Sequence, residues 1–171
     1  MTGLGAPAGV AGHGSTRPTR TRLGSYAICL DDAGQILLTR LSPVEVAVGA
    51  WTLPGGGVDF GEHPDATVIR ELEEETGLHG TIVSVGGIFS HVYLDSTFAR
   101  GGDLHFLGIV YRVRLTGGVL RAEVGGSTEA CAWMSLDEIR ALKLVEVAQF
   151  GIGLAKKRCG KNNFHPRVSA K

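Results

Sequence analysis

Gly56-Gly57-Val58-Asp59-Phe60-Gly61-Glu62, then seven residues, then Arg70-Glu71-Leu72-Glu73-Glu74-Glu75-Thr76-Gly77-Leu78 is the stretch that decides the fold. Pro64 stands where the first turn of a helix tolerates a missing N–H, and Gly77 stands where a helix is closed, so the spacing predicts a helix over 64–76. At about 100° per residue, Glu71, Glu74 and Glu75 fall within an arc of roughly 100°, while Val68, Ile69 and Leu72 occupy a separate arc that faces a core. Glu73 points roughly 150° from the middle of the carboxylate arc and is left out of the cluster.

Like charges four residues apart, as at Glu71 and Glu75, destabilise an isolated helix, and a divalent cation offsets that repulsion. Carboxylate oxygens suit a hard ion, Mg²⁺ or Mn²⁺, which keeps several waters and shares its remaining positions with substrate phosphates. The glycines before the helix, Gly55 to Gly57 and then Gly61, let the backbone turn tightly and lie against a metal or a phosphate. No Gly-Lys-Ser/Thr follows them, which excludes a P-loop, and the spacing of a dinucleotide fingerprint is missing.

Upstream, Tyr26 to Leu30 reads as a strand, Asp31 to Gly34 as a turn and Ile36 to Thr39 as the returning strand, together a hairpin, with order beginning near Gly24. Trp51-Thr52-Leu53 is a short extended piece halted by Pro54. Downstream, 82–85, 87–93 and 104–115 are rich in β-branched and aromatic residues and read as strands. A last strand over 130–134 leads to Ser135, an N-cap whose capping box is completed by Glu138, and to a second helix. Strands and helices do not alternate regularly, which implies a mixed sheet with helices packed on it rather than a doubly wound sheet.

The 171 residues fit one domain over 24–155, with a Gly- and Pro-containing flexible tail at 1–23 and a basic tail at 156–171. Nine of the 17 basic residues lie in those ends, leaving eight against all 17 acidic ones between Leu23 and Ala155. An acidic body argues against a stable nucleic-acid complex. No apolar run approaches the roughly 18 residues of a membrane span. Cys29, Cys131 and Cys159 are scattered and form no zinc or redox pair, which suits a reducing cytoplasm.

Gly56, five residues, Glu62, seven residues, Arg70-Glu71-Leu72, one residue, Glu74-Glu75, one residue, Gly77-Leu78 resembles the full Nudix box, with no position departing from it. The similarity continues through Ile36 to Arg40, Trp51 to Gly55 and Trp133 to Glu138. It implies an α/β/α sandwich around a mixed β-sheet and a Mg²⁺-dependent hydrolase, with Mn²⁺ as a substitute ion, that cleaves a nucleoside diphosphate linked to another group. By the same resemblance Glu71, Glu74, Glu75 and the carbonyl of Gly55 are metal ligands. Arg70 and Glu62 tie the loop to the helix, and Glu74 is the first choice as general base. Glu123 and Glu129, on the loop before the Trp133 strand, stand where some relatives place a further base or ligand, or are solvated loop carboxylates.

Arg40 closes a strand where some relatives hold a phosphate, or else makes a surface ion pair. Trp51, Phe89 and Tyr93 either stack on a base or fill the core. His63, His79, His91 and His105 are expected to be structural. The expected substrate is a small nucleotide: a nucleoside triphosphate or oxidised nucleotide first, as in MutT-type enzymes, then ADP-ribose or a nucleotide sugar. The alternative is a Nudix sensor that binds a nucleotide without cleaving it. Such domains occur as monomers and as homodimers.

Overall fold

The computed structural model describes residues 18–43, 45, 47–97 and 101–159, the last three by backbone alone. What was expected of residues 1–17 and 160–171 lies outside them. Ten elements follow in order: β1 (Thr19–Ile28), β2 (Ile36–Leu41), β3 (Trp51–Thr52), β4 (Gly55–Gly57), α1 (Pro64–Thr76), β5 (Leu78–Ser96), β6 (Gly102–Gly118), β7 (Thr128–Met134), α2 (Leu136–Ile139) and α3 (Glu146–Cys159). One sheet has the order β4-β1-β6-β5 and the other β3-β2-β7. The first is mixed, because β1 runs antiparallel to β4 and parallel to β6.

Strand periodicity builds the sandwich, since successive side chains point to opposite faces. On β1, Tyr26 and Ile28 join Ile36 and Leu38 of β2, Val110 of β6 and the α3 residues Val147, Ala148, Ile152 and Ala155 in one core cluster. The intervening Ala27, Cys29 and Leu37 join Tyr111 and Val113 in a second cluster, against Val68 and Leu72 of α1. Strands buried on both faces read as continuous apolar runs, and that is why 26–29 and 36–38 show no alternation. Full burial of one such side chain is worth about 1.5–3 kcal/mol.

Three expectations about strands are corrected. The strand read from Tyr26, with order beginning near Gly24, begins at Thr19, where it already pairs with Asp103. The hairpin keeps its turn: Asp31 Oδ1 accepts the N–H of Ala33 at 3.0 Å and of Gln35 at 2.7 Å. Its strands then part after the bridge Leu30↔Ile36 and enter different sheets. β1 takes β4 and β6 as its neighbours and β2 takes β3 and β7, so neither is left to serve as the other's sheet partner. The second helix is a single turn, Leu136–Ile139, with its Ser135–Glu138 capping box in place. The longer α3 follows separately, passing beyond Ala155, and its spacing at Val147, Ala148, Ile152 and Ala155 is helical. The separate strands read at 82–85 and 87–93 are one strand, β5, with register shifts inside it.

Helix α1 has the predicted bounds. Gly77 closes it at φ 68°, and its N–H reaches the carbonyl of Glu73 at 2.8 Å. The N-cap is His63, whose Nδ1 accepts the Asp65 N–H at 3.2 Å; a histidine cap carries little sequence signal. The glycine-rich loop is fastened to the helix through Glu62. Arg70 donates from Nε to Glu62 Oε1 at 3.0 Å and from Nη2 to Oε2 at 3.1 Å, and the Thr67 hydroxyl donates to Oε2 at 2.7 Å.

These donors, Arg70 foremost and then Thr67, hold the Glu62 carboxyl down to about 2. A depressed carboxyl contributes stability above its unfolded value and loses it as pH falls towards the folded one. Thermal melts between pH 6 and pH 2.5 are expected to fall more steeply for the wild-type chain than for Glu62→Gln. The two Tm values converge at the acid end; parallel curves would show that Glu62 does not couple to folding.

Candidate active site

The glycine strand β4 lies at the edge of the mixed sheet, beside β1, with α1 packed against both. A Cβ built on Gly56 would stand 2.7 Å from Glu71 Oε1, so the bare backbone is what lets that carboxylate pass. Gly55 takes φ 143°, and a Cβ there would meet the Ser25 carbonyl oxygen at 2.2 Å. On the other side of this strand opens a cavity of about 800 Å³. Glu71, Glu75 and Gly55 to Gly57 form its acidic wall, and Tyr26, Leu104, Phe106, Leu144 and Val147 an apolar one.

Glu75 is buried. Its Oε2 accepts the Gly55 N–H at 3.0 Å and the Thr39 hydroxyl at 3.3 Å, and its Oε1 the Ser127 hydroxyl at 3.4 Å. Burial first, and then the charges of Glu71 and Glu123, push it up to about 8 against the pull of the Gly55 N–H. Glu71 is also raised, chiefly by burial, with Arg70 opposing and Glu74 and Glu123 adding to it. Arg70 Nη1 donates to Glu71 Oε1 at 2.9 Å and to Glu74 Oε2 at 2.8 Å.

Of the three glutamates expected to converge, Glu71 and Glu75 line the cavity, whereas Glu74 lies outside that lining, held by Arg70. Gly55 gives its N–H to Glu75. Glu73 points away towards His79, 3.5 Å distant, as the helical angles require. Among the described residues no three His, Cys, Asp or Glu side chains stand ready around one point to hold an ion; each carboxylate is turned to a hydrogen-bond donor. The donor chemistry nevertheless fits a hard cation. It is all oxygen, burial and then neighbouring charge raise the carboxyls of Glu71 and Glu75, and the buried Ser25 hydroxyl, opposite Gly56, has no hydrogen-bond partner.

Glu123 sits on its own loop, accepting the Thr128 N–H and hydroxyl, each at 3.3 Å, while its charge still acts on Glu71 and Glu75. Glu129 is taken by Arg40, whose Nε lies 3.4 Å away, and neither lines the cavity. Trp51 and Phe89 pack against the α3-side core and are also outside the lining; Phe89 lies 6.0 Å from Phe106 and 5.8 Å from Phe150. Tyr93 does line the cavity, and its hydroxyl donates to Glu146 at the start of α3. Sequence reading missed Arg22, Tyr26, Phe106 and Glu146 as cavity residues. The first two alternate with Gly24 along one face of β1, a pattern visible once the strand is carried back to Thr19.

No helix among the described residues is long and apolar enough to cross a membrane. The NUDIX domain model matches residues 20–151. A "MutT-like protein" of Streptomyces ambofaciens is 31% identical over 125 residues, covering 73% of this chain and 71% of that one. An "ADP-ribose pyrophosphatase" of Methanocaldococcus jannaschii is 39% identical over 74 residues, covering 43% of this chain and 40% of that one. The crystal structure of a MutT NUDIX hydrolase from Burkholderia pseudomallei superposes with a TM-score of 0.66 at 28% identity, over 79% of this chain and 98% of that chain. Box, sandwich and relatives agree, and the chain belongs to the NUDIX hydrolase family.

Proposed function

We propose that this chain is a Mg²⁺-dependent pyrophosphohydrolase, able to use Mn²⁺, that cleaves the diphosphate of a nucleoside diphosphate linked to another group. A nucleoside triphosphate or an oxidised nucleotide such as 8-oxo-dGTP is the favoured substrate, ahead of ADP-ribose or a nucleotide sugar. The carrying observation is the two-sided cavity: carboxylates and bare glycine backbone suit phosphate chemistry on one wall, and the apolar wall of Tyr26, Leu104 and Phe106 suits a flat base. The resemblance to proteins named MutT-like supports the order of substrates. Two free thiols, Cys29 and Cys131, accord with action in the cytoplasm.

Glu71 and Glu75 would hold the ion from the cavity wall, and Glu74 would join them by exchanging its bond to Arg70. When bound, a hard divalent cation neutralises phosphate oxygens and acidifies water. A water oxygen attacks phosphorus, the bond to the bridging oxygen breaks, and the proton lost by the water passes to a carboxylate. Glu71 is read as the carboxylate that takes that proton, in place of the Glu74 implied by the resemblance, because it lines the cavity whereas Glu74 is held by Arg70 outside the lining. Arg70, bonded to Glu62, Glu71 and Glu74, is a positioning residue.

A phosphate-release screen across nucleoside triphosphates, 8-oxo-dGTP, ADP-ribose, nucleotide sugars and dinucleotides is expected to show one preferred class, abolished by EDTA and restored by Mg²⁺. Nucleotide binding without turnover anywhere in the panel would refute the hydrolase reading. On the preferred substrate, Glu71→Gln and Glu75→Gln should each lower kcat by roughly a hundredfold or more, the scale of a lost base or ligand. Glu74→Gln should cost less than either; a larger loss at Glu74 would return the base to that residue.

A further inference from the structure

We infer that Arg22 is the residue that grips the phosphate chain at the mouth of the cavity, an inference that rests on the hydrolase reading above for its substrate. Arg22, Gly24 and Tyr26 follow one another at a spacing of two along β1 and so share one face, and both Arg22 and Tyr26 line the cavity. The guanidinium lies across the glycine strand. Its Nη2, Nε and Cζ atoms stand 3.2, 3.5 and 3.7 Å from the point a Cβ on Gly57 would occupy. One residue along, at Gly56, the Glu71 carboxylate approaches the same strand, with Oε1 2.7 Å from the corresponding point. Successive strand residues face opposite ways, so the carboxylate meets one face of this edge strand at Gly56 and the guanidinium the other at Gly57, and the cavity that both line reaches round the edge between them.

The charge around the cavity makes this cation necessary. Among the described residues its lining includes the carboxylates Glu45, Asp59, Glu71, Glu75, Asp95 and Glu146, against Arg22 and Lys143 as cations. An ion held by Glu71 and Glu75 offsets the charge at its own position, and the rest of a polyphosphate still meets acidic walls. Lys143 belongs to the segment beside β3, where its carbonyl accepts the Trp51 N–H at 2.8 Å, on the wall that leads to α3. Arg22 is the cation on the glycine strand itself, beside Gly57 and on the Tyr26 face of β1. A guanidinium offers a planar fork of donors that engages two phosphate oxygens at once, which an ammonium cannot do. Arg40, the arginine expected in this role, lies outside the lining. The electrostatic reach of Arg22 inward is visible at Tyr26, whose buried phenol is pushed up by desolvation and pulled back chiefly by Arg22.

The test is calorimetric titration of inorganic pyrophosphate with Mg²⁺ into the full chain, alongside KM and kcat on the substrate that the screen selects. Arg22 is exposed near the start of a strand, so Arg22→Gln keeps the stem and is expected to fold. Arg22→Gln should weaken the pyrophosphate Kd and raise KM at least tenfold while kcat changes less than threefold. Arg22→Lys should fall between, because it keeps the charge and loses the fork. Arg140→Gln, at an exposed ion pair with Asp137, should match the wild type and control for net charge. Wild-type Kd and KM in Arg22→Gln would overturn the inference, as would failure of the wild-type chain to bind pyrophosphate, or a loss of affinity in Arg40→Gln that Arg22→Gln does not share. If the screen shows no turnover, the hydrolase reading fails on that result alone, and the Kd comparison still decides the role of Arg22.

Discussion

A carboxylate on one side of a sheet edge can act in a cavity on the other only if the strand between them has no side chains. Three consecutive glycines, Gly55 to Gly57, meet that requirement. The packing of α1 against β1 and β4 is set by Val68 and Leu72 on its apolar face, and this places Glu71 and Glu75 against the glycine strand rather than in solvent. The same bareness admits the Arg22 guanidinium beside Gly57. The left-handed closure at Gly77 and the clamp of Glu62 by Arg70 then fix the helix and the loop that leads into it. Substituting any side chain at Gly56 would displace a carboxylate rather than fill a void.

Burial of Glu75 carries a corresponding electrostatic cost. A carboxyl removed from water among other carboxyls favours its protonated form unless donors or a cation compensate. Gly55, Thr39 and Ser127 supply three donors from three different segments, so β2, β4 and the loop before β7 all converge on one side chain. The site thus also joins the two sheets, since Thr39 belongs to the three-stranded sheet and Gly55 to the mixed one.

What could be read in the sequence was what local spacing determines. The bounds of α1, the orientation of Glu73 away from its neighbours, the turn at Asp31 and the capping box at Ser135 all depend on residues within one or two turns of each other, and each stands as expected. Sheet membership does not follow from local spacing. The turn at 31–34 is a good hairpin turn, yet long-range partners draw its two strands into different sheets. The aromatics failed for a related reason. Strand β5 changes register against β6 between Ile82 and Ser84 and again between Val85 and Gly87, and each shift reverses which residues face the core. Phe89 and Tyr93 both lie beyond these two shifts and share one face, so alternation alone could not tell that Phe89 packs inside while Tyr93 reaches the cavity.

The parallel pairing of β1 with β6 has a consequence for how the molecule comes into being. Thr19 pairs with Asp103 and Ile28 with Arg112, so the first strand synthesised waits for one of the last. Contacts of such large sequence separation are entropically late, and folds that rely on them have high contact order and slow folding. The motif around α1 is contiguous in the sequence, but the β1–β4 edge on which its glutamates rest belongs to a sheet completed only when β6 docks. A nascent chain can thus carry every residue of the box before it has any cavity for them to line, which delays the gathering of so many like charges until the whole sandwich is present to hold them.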